Sequence, residues 1–121
     1  MADVESAGDR DLIDIIGQAA AGGVTLVQLR AKKLSATAFL KLGLKAASLL
    51  RKKKIPLIIN DRPDIALACG AAGVHLGQDD LPIAAARRLL GKSRLVGLSV
   101  SNLGEARKAE KEGVDYVGLG P

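Results

Sequence analysis

Pro56-Leu57-Ile58-Ile59-Asn60-Asp61-Arg62-Pro63 is the stretch on which the reading of the whole chain turns. Leu57, Ile58 and Ile59 are apolar without alternation, which marks a strand covered on both faces and not one facing water. The run then ends abruptly in an amide, a carboxylate and a guanidinium. Pro63 cannot donate to a strand ladder, but it suits the first turn of a helix. Ile65–Cys69 supplies the apolar patch that such a helix would bury. Strand, polar tip and helix together make one β/α unit.

The same unit recurs on both sides. Val24–Leu29, Gly73–Gly77, Leu95–Ser99 and Tyr116–Gly120 are further strand-length apolar runs. Segments with helical spacing separate them. Leu12, Ile13, Ile16 and Ala19–Ala20 form one stripe, and Phe39, Leu42, Leu44, Ala46, Leu49 and Leu50 another. Ile83–Leu90 and Leu103–Glu112 follow. Gly23-Val24, Gly73-Val74 and Gly113-Val114 repeat at the return from helix to strand. An unbroken β-α-β-α order implies right-handed crossovers and a parallel sheet. Asp80, ahead of Leu81-Pro82, is expected to cap a helix. Asn102 and Glu105 are spaced as a capping box. Gly91 and Gly113 stand where helices should stop. The basic run Arg51–Lys54 closes a helix, where the dipole favours cations.

Composition narrows the partners. The 121 residues suffice for one domain, and 48% are hydrophobic. Aromatics make up only 2%, so Ala, Leu, Ile and Val must build the core. The charge of +5 favours an anionic partner. Single-stranded bases would need stacking rings that are missing, so small phosphate compounds are expected and nucleic acid is not. Cys69 is the single cysteine, which excludes an internal disulfide. No apolar stretch reaches bilayer length, and Met1–Arg10 lacks a signal-peptide core. A soluble, cytoplasmic protein is the expectation.

Parallel strands bring their C-terminal ends to one mouth. Gln28, Arg30 and Lys32 follow the first run, Asn60, Asp61 and Arg62 the second, and Gln78, Asp79 and Asp80 the third. Ser99 and Ser101 end the fourth, and Gly118–Pro121 the fifth. Two or three carboxylates beside an arginine and a lysine have two readings. They can neutralise one another as an ion-pair network. They can also hold Mg²⁺, which takes one or two protein carboxylates and fills its octahedron with water and phosphate oxygens. Arg30 offers a fork for phosphate and Lys32 a compact charge. His75, inside the third strand, is read as a satisfied interior histidine. Arg62 and Asp64 are read as loop ion-pair partners, and Asp79 as an exposed neighbour.

At these residues the chain resembles the thiamine-phosphate synthase family. The resemblance rests on Gly22–Lys32, Pro56–Ala66, Gly73–Pro82 and Tyr116–Pro121, in that order, and extends over 10–121. It implies a TIM (β/α)₈ barrel, incomplete here, with about five parallel strands in one partial domain. The family's usual first strand is expected to be absent before Leu12. Two later strands and the thiazole-phosphate half of the site are expected to lie outside this sequence.

The resemblance further implies a Mg²⁺-dependent transferase. It joins hydroxymethylpyrimidine diphosphate to thiazole phosphate and releases diphosphate. Asp61 and Asp80 match metal ligands. Arg30, Lys32 and Ser99 match catalytic positions. Gln28, Arg30, Lys32, Asn60 and Ser99 match substrate contacts. Activity is expected to need the rest of the barrel, and the open edges suggest homo-oligomerisation. A non-catalytic or regulatory barrel module and a thiazole tautomerase-like isomerase are the alternatives. The second tends to lose the carboxylates that this chain keeps.

Overall fold

All five expected strands form, and a sixth joins them in front. In the computed structural model, which describes residues 1–120, the order is β1 (Ala2–Asp3), α1 (Val4–Ala7), α2 (Leu12–Ala21), β2 (Val27–Arg30), α3 (Ala36–Lys52), β3 (Leu57–Asn60), α4 (Pro63–Cys69), β4 (Gly73–Leu76), α5 (Ile83–Leu90), β5 (Leu95–Val100), α6 (Leu103–Glu112) and β6 (Tyr116–Leu119). The strands make one sheet in sequence order. Every neighbouring pair is parallel. Among the described residues β1 and β6 each have one strand neighbour, so the sheet is open.

The expectation that no strand precedes the first long helix is overturned. Ala2 and Asp3 pair with Leu29 and Arg30. Two residues are too few to show a hydropathy period. Asp3 also looks like turn chemistry, and indeed its carboxylate accepts from the Glu5 amide to start α1.

Two faces of the sheet have different tasks. Leu29, Ile59, Val74, Leu76, Val96 and Leu98 belong to the core shared with the helices. That core takes Phe39, Ala46 and Leu50 from α3, Ile65 and Ala66 from α4, and Ala86 and Leu90 from α5. Full burial of a side chain such as Phe39 or Leu50 contributes about 1.5–3 kcal/mol. Small residues facing large ones let the helices lie close, as Gly43 does against Cys69. The opposite face carries Gln28, Ile58, His75, Ser99 and Tyr116 toward the concave side.

The expected helix ends hold at Gly91 and Gly113, both C-caps with positive φ. Ser35 caps α3 through the Ala38 amide. Asn102 caps α6 through the Glu105 amide, and Glu105 returns to the Ser101 amide, one residue earlier than a standard capping box. Asp80 is not a cap. Pro82 occupies the N-cap of α5 with ψ 144° and no side-chain bond. The residue before a proline is pushed out of helical geometry, so Leu81 delays the helix. The carboxylate of Asp80 turns back to the Gly77 amide instead, at 2.7 Å.

Candidate functional site

Arg30, Asp61 and Asp80 come from three different strand ends, and all three line one cavity. It measures about 570 Å³ and opens at the C-terminal ends of the strands. Gln28, Lys32, Asn60 and Ser99 line it as well, so every candidate named from the sequence converges there. Gln28 and Arg30 are alternate residues of β2 and so share its concave face. Asn60 ends β3 and is nearly buried, 9% exposed. Ser99 projects from β5. Pro121, the last residue of the fifth polar tip, lies outside the described residues.

Asp61 has a left-handed backbone, φ 66°. A non-glycine residue there costs about 1–3 kcal/mol and is held only by its surroundings. Its amide donates to the His75 carbonyl at 2.8 Å, adding one rung beyond β3 while the chain turns outward. The turn directs the carboxylate toward Asp80. Burial first, and then the hydrogen bond and charge of Asp80, push the Asp61 carboxyl up to about 6, against the pull of Lys32 and Arg30. The Lys32 ammonium stands 3.9 Å from Asp61 and is largely exposed, a weak counter-charge.

Arg30 is engaged on its other side. Its guanidinium meets Asp3 at 2.9 Å and Glu5 at 3.8 Å. The Glu5 Oε2 atom is buried without a hydrogen-bond partner. The ion-pair reading made from spacing is therefore seen at Arg30. Arg30 belongs to an ion-pair network and also reaches the cavity. Arg62 and Asp64 form the expected two-point ion pair, at 2.9 and 2.6 Å, outside the cavity. Asp79 is exposed and does not line the cavity.

The donor set fits Mg²⁺. Two carboxylates repel in a half-buried site, and a divalent cation relieves that repulsion. Among the described residues no cluster of three or more His, Cys, Asp or Glu forms. Mg²⁺ commonly takes one or two protein carboxylates and completes its shell with water and phosphate oxygens.

His75 is 8% exposed and satisfied at both ring nitrogens, as its interior position implies. Nδ1 lies 3.0 Å from the Tyr116 hydroxyl and Nε2 2.7 Å from Ser99 Oγ. Burial lowers its pKa, with Asp80 acting in the other direction. Tyr116 and Gly97 were not singled out from the sequence. Tyr116 is the single tyrosine, and Gly97 interrupts an apolar strand. Only the register shows that His75, Gly97 and Tyr116 form one row across β4, β5 and β6.

The chain matches the family model described as thiamine monophosphate synthase over residues 2–121. It belongs to the thiamine monophosphate synthase family. The thiamine-phosphate synthase of Clostridium acetobutylicum is 51% identical over 112 residues, which cover 93% of this chain and 53% of that protein. That of Solidesulfovibrio magneticus is 52% identical over 112 residues, covering 93% and 53%. The solved structure of thiamine phosphate pyrophosphorylase from Pyrococcus furiosus superposes with a TM-score of 0.90 at 33% identity, covering 98% of this chain and 57% of that one. The chain thus spans about half the length of the family members it matches. Within that half, the α/β fold is the family's. No helix among the described residues is long and apolar enough to cross a membrane.

Proposed function

We propose that this chain carries the metal- and diphosphate-binding half of a thiamine-phosphate synthase, a transferase of thiamine biosynthesis. The observation that carries the reading is the convergence of Arg30, Lys32, Asn60, Asp61, Asp80 and Ser99 on one strand-end cavity. Its substrates would be hydroxymethylpyrimidine diphosphate and thiazole phosphate. The C–O bond to diphosphate breaks and its electron pair leaves with the diphosphate. The nitrogen lone pair of the thiazole then forms the new C–N bond to the pyrimidine methylene.

The residues follow from that chemistry. Asp61 and Asp80 would hold Mg²⁺, which when bound neutralises charge on the leaving diphosphate. Arg30 and Lys32 pair with its oxygens, and Arg30 is pre-aimed by Asp3. Asn60 and Ser99 add neutral hydrogen bonds, and Gln28 faces the pyrimidine. The barrier falls because charges are fixed where negative charge develops and because the reacting groups are positioned. No protein nucleophile is required. The thiazole-phosphate contacts belong to the part of the relatives that this chain does not cover. Such a biosynthetic enzyme would work in the cytoplasm on small molecules, and open sheet edges would allow self-association.

Titration calorimetry with inorganic diphosphate, with and without Mg²⁺, tests the binding reading. Mg²⁺-dependent binding that disappears in Asp61→Ala is the expected result. Equal affinity with and without the metal would overturn it. A thiamine-phosphate assay on the chain, alone and with a complementing C-terminal half from a relative, tests the activity.

A further inference from the structure

We infer that Tyr116 and His75 form a relay that fixes the direction of the Ser99 hydroxyl, making it a hydrogen-bond donor into the cavity. The inference deepens the diphosphate reading above and rests on it for the identity of the anion. Tyr116 and His75 are positioning residues, since they act through Ser99.

The relay is built by an absence of side chain. Gly97 sits between His75 and Tyr116 in the strand register. A Cβ on Gly97 would fall inside the Tyr116 ring. The tyrosine therefore lies across β5 and reaches the imidazole over a strand that contributes only backbone. A Cβ on Gly118 would come within 3.2 Å of the imidazole Cε1. These two glycines leave the imidazole one slot, with ring centroids of His75 and Tyr116 5.4 Å apart.

Donor accounting sets the direction. Neither imidazole nitrogen meets a carboxylate; both face hydroxyls, and burial of the ring disfavours the cation, which leaves the neutral form with one N–H. Among the described residues the Tyr116 hydroxyl has one hydrogen-bond partner, Nδ1 of His75. Its proton therefore goes to Nδ1, because a half-buried donor is costly to leave unmade. Nδ1 accepts, so Nε2 carries the hydrogen and donates to Ser99 Oγ at 2.7 Å. Ser99 Oγ has no other partner among the described residues, and its own proton is free to point into the cavity. The opposite tautomer would draw the serine proton onto Nε2. The cavity would then meet oxygen lone pairs, which repel an anion.

His75 is the one histidine of the sequence, so its ring nitrogens can be read by ¹⁵N NMR without ambiguity. The wild-type chain should show the Nε2–H tautomer. Tyr116→Phe should shift the population toward Nδ1–H and weaken Mg²⁺–diphosphate binding about threefold to tenfold. Ser99→Ala should weaken it about tenfold, and the double variant no further than Ser99→Ala alone. An Nδ1–H tautomer in the wild type overturns the relay. So does a double variant whose losses multiply. If the wild type binds no diphosphate, the function reading fails while the tautomer and its response to Tyr116→Phe still decide the relay.

Discussion

The two sides of the cavity are built on opposite terms. On the β4–β6 side, His75, Ser99 and Tyr116 satisfy one another through neutral hydrogen bonds. On the β3–β4 side, Asp61 holds a left-handed backbone and faces a second carboxylate, with Lys32 and Arg30 as the opposing charges. His75, Ser99 and Asp61 each stand one step from a strand end. The two sides differ in what is left over. The hydroxyl side leaves one serine proton over, whereas the carboxylate side holds like charges that a cation would neutralise. Strain and like charges collected at one edge of an otherwise well-packed sheet are features that functional sites commonly share.

The sharpest way to break the comparison is to remove a carboxylate. Asp61→Ala or Asp80→Ala should lower Mg²⁺-dependent diphosphate affinity about 100-fold, or about 2.7 kcal/mol, in calorimetry. A change below threefold would make the carboxylate pair structural. Next in size is Gly97→Ala, which overpacks the hydroxyl side against the Tyr116 ring. It should cost about 1–3 kcal/mol in urea unfolding. Unchanged stability would mean the ring does not lie over Gly97.

Acidity separates the sides further. The Asp61 carboxyl is raised to about 6 from an ordinary 3.8. The folded protein therefore holds this proton more tightly than the unfolded chain. The ionised group opposes folding fully above pH 6, and that opposition fades as pH falls toward 3.8. Asp61→Asn, which also tolerates the left-handed backbone, should raise the urea midpoint above pH 6 and match wild type near pH 3.8. Saturating Mg²⁺ should shrink the difference. An Asn variant no more stable at pH 8 would remove the stored repulsion. The smallest effect belongs to a pair outside the cavity. Arg62→Ala breaks an exposed ion pair and should change stability by no more than about 1 kcal/mol, with diphosphate binding untouched.

Much of this was legible in the residues because strand tips and helix starts have distinct chemistry. Continuous runs such as Leu57–Asn60 and Gly73–Leu76 are buried at every position. The polar tips then had one place to go. What escaped was whatever depends on register or on very short elements. β1 shows no period over two residues. Asp80 carries cap chemistry, yet Pro82 displaces the helix start and frees the carboxylate for the Gly77 turn. Tyr116 reads as an ordinary strand aromatic until Gly97 is seen beside it. The first run starts late, at Val27, because Val24 and Leu26 stay exposed in the approach to the strand.

Because strand order in the sheet equals order along the chain, each strand leaving the ribosome meets an edge already in place. Every pairing closes a loop only one β/α unit long, so the entropy of each closure is small and does not grow as synthesis proceeds. Assembly can follow translation from the N-terminus, without waiting for a distant partner. Nascent chains stalled after β4 should already protect β2 and β3 from protease, and cleavage there at the rate of an unfolded chain would show that folding waits for the later strands.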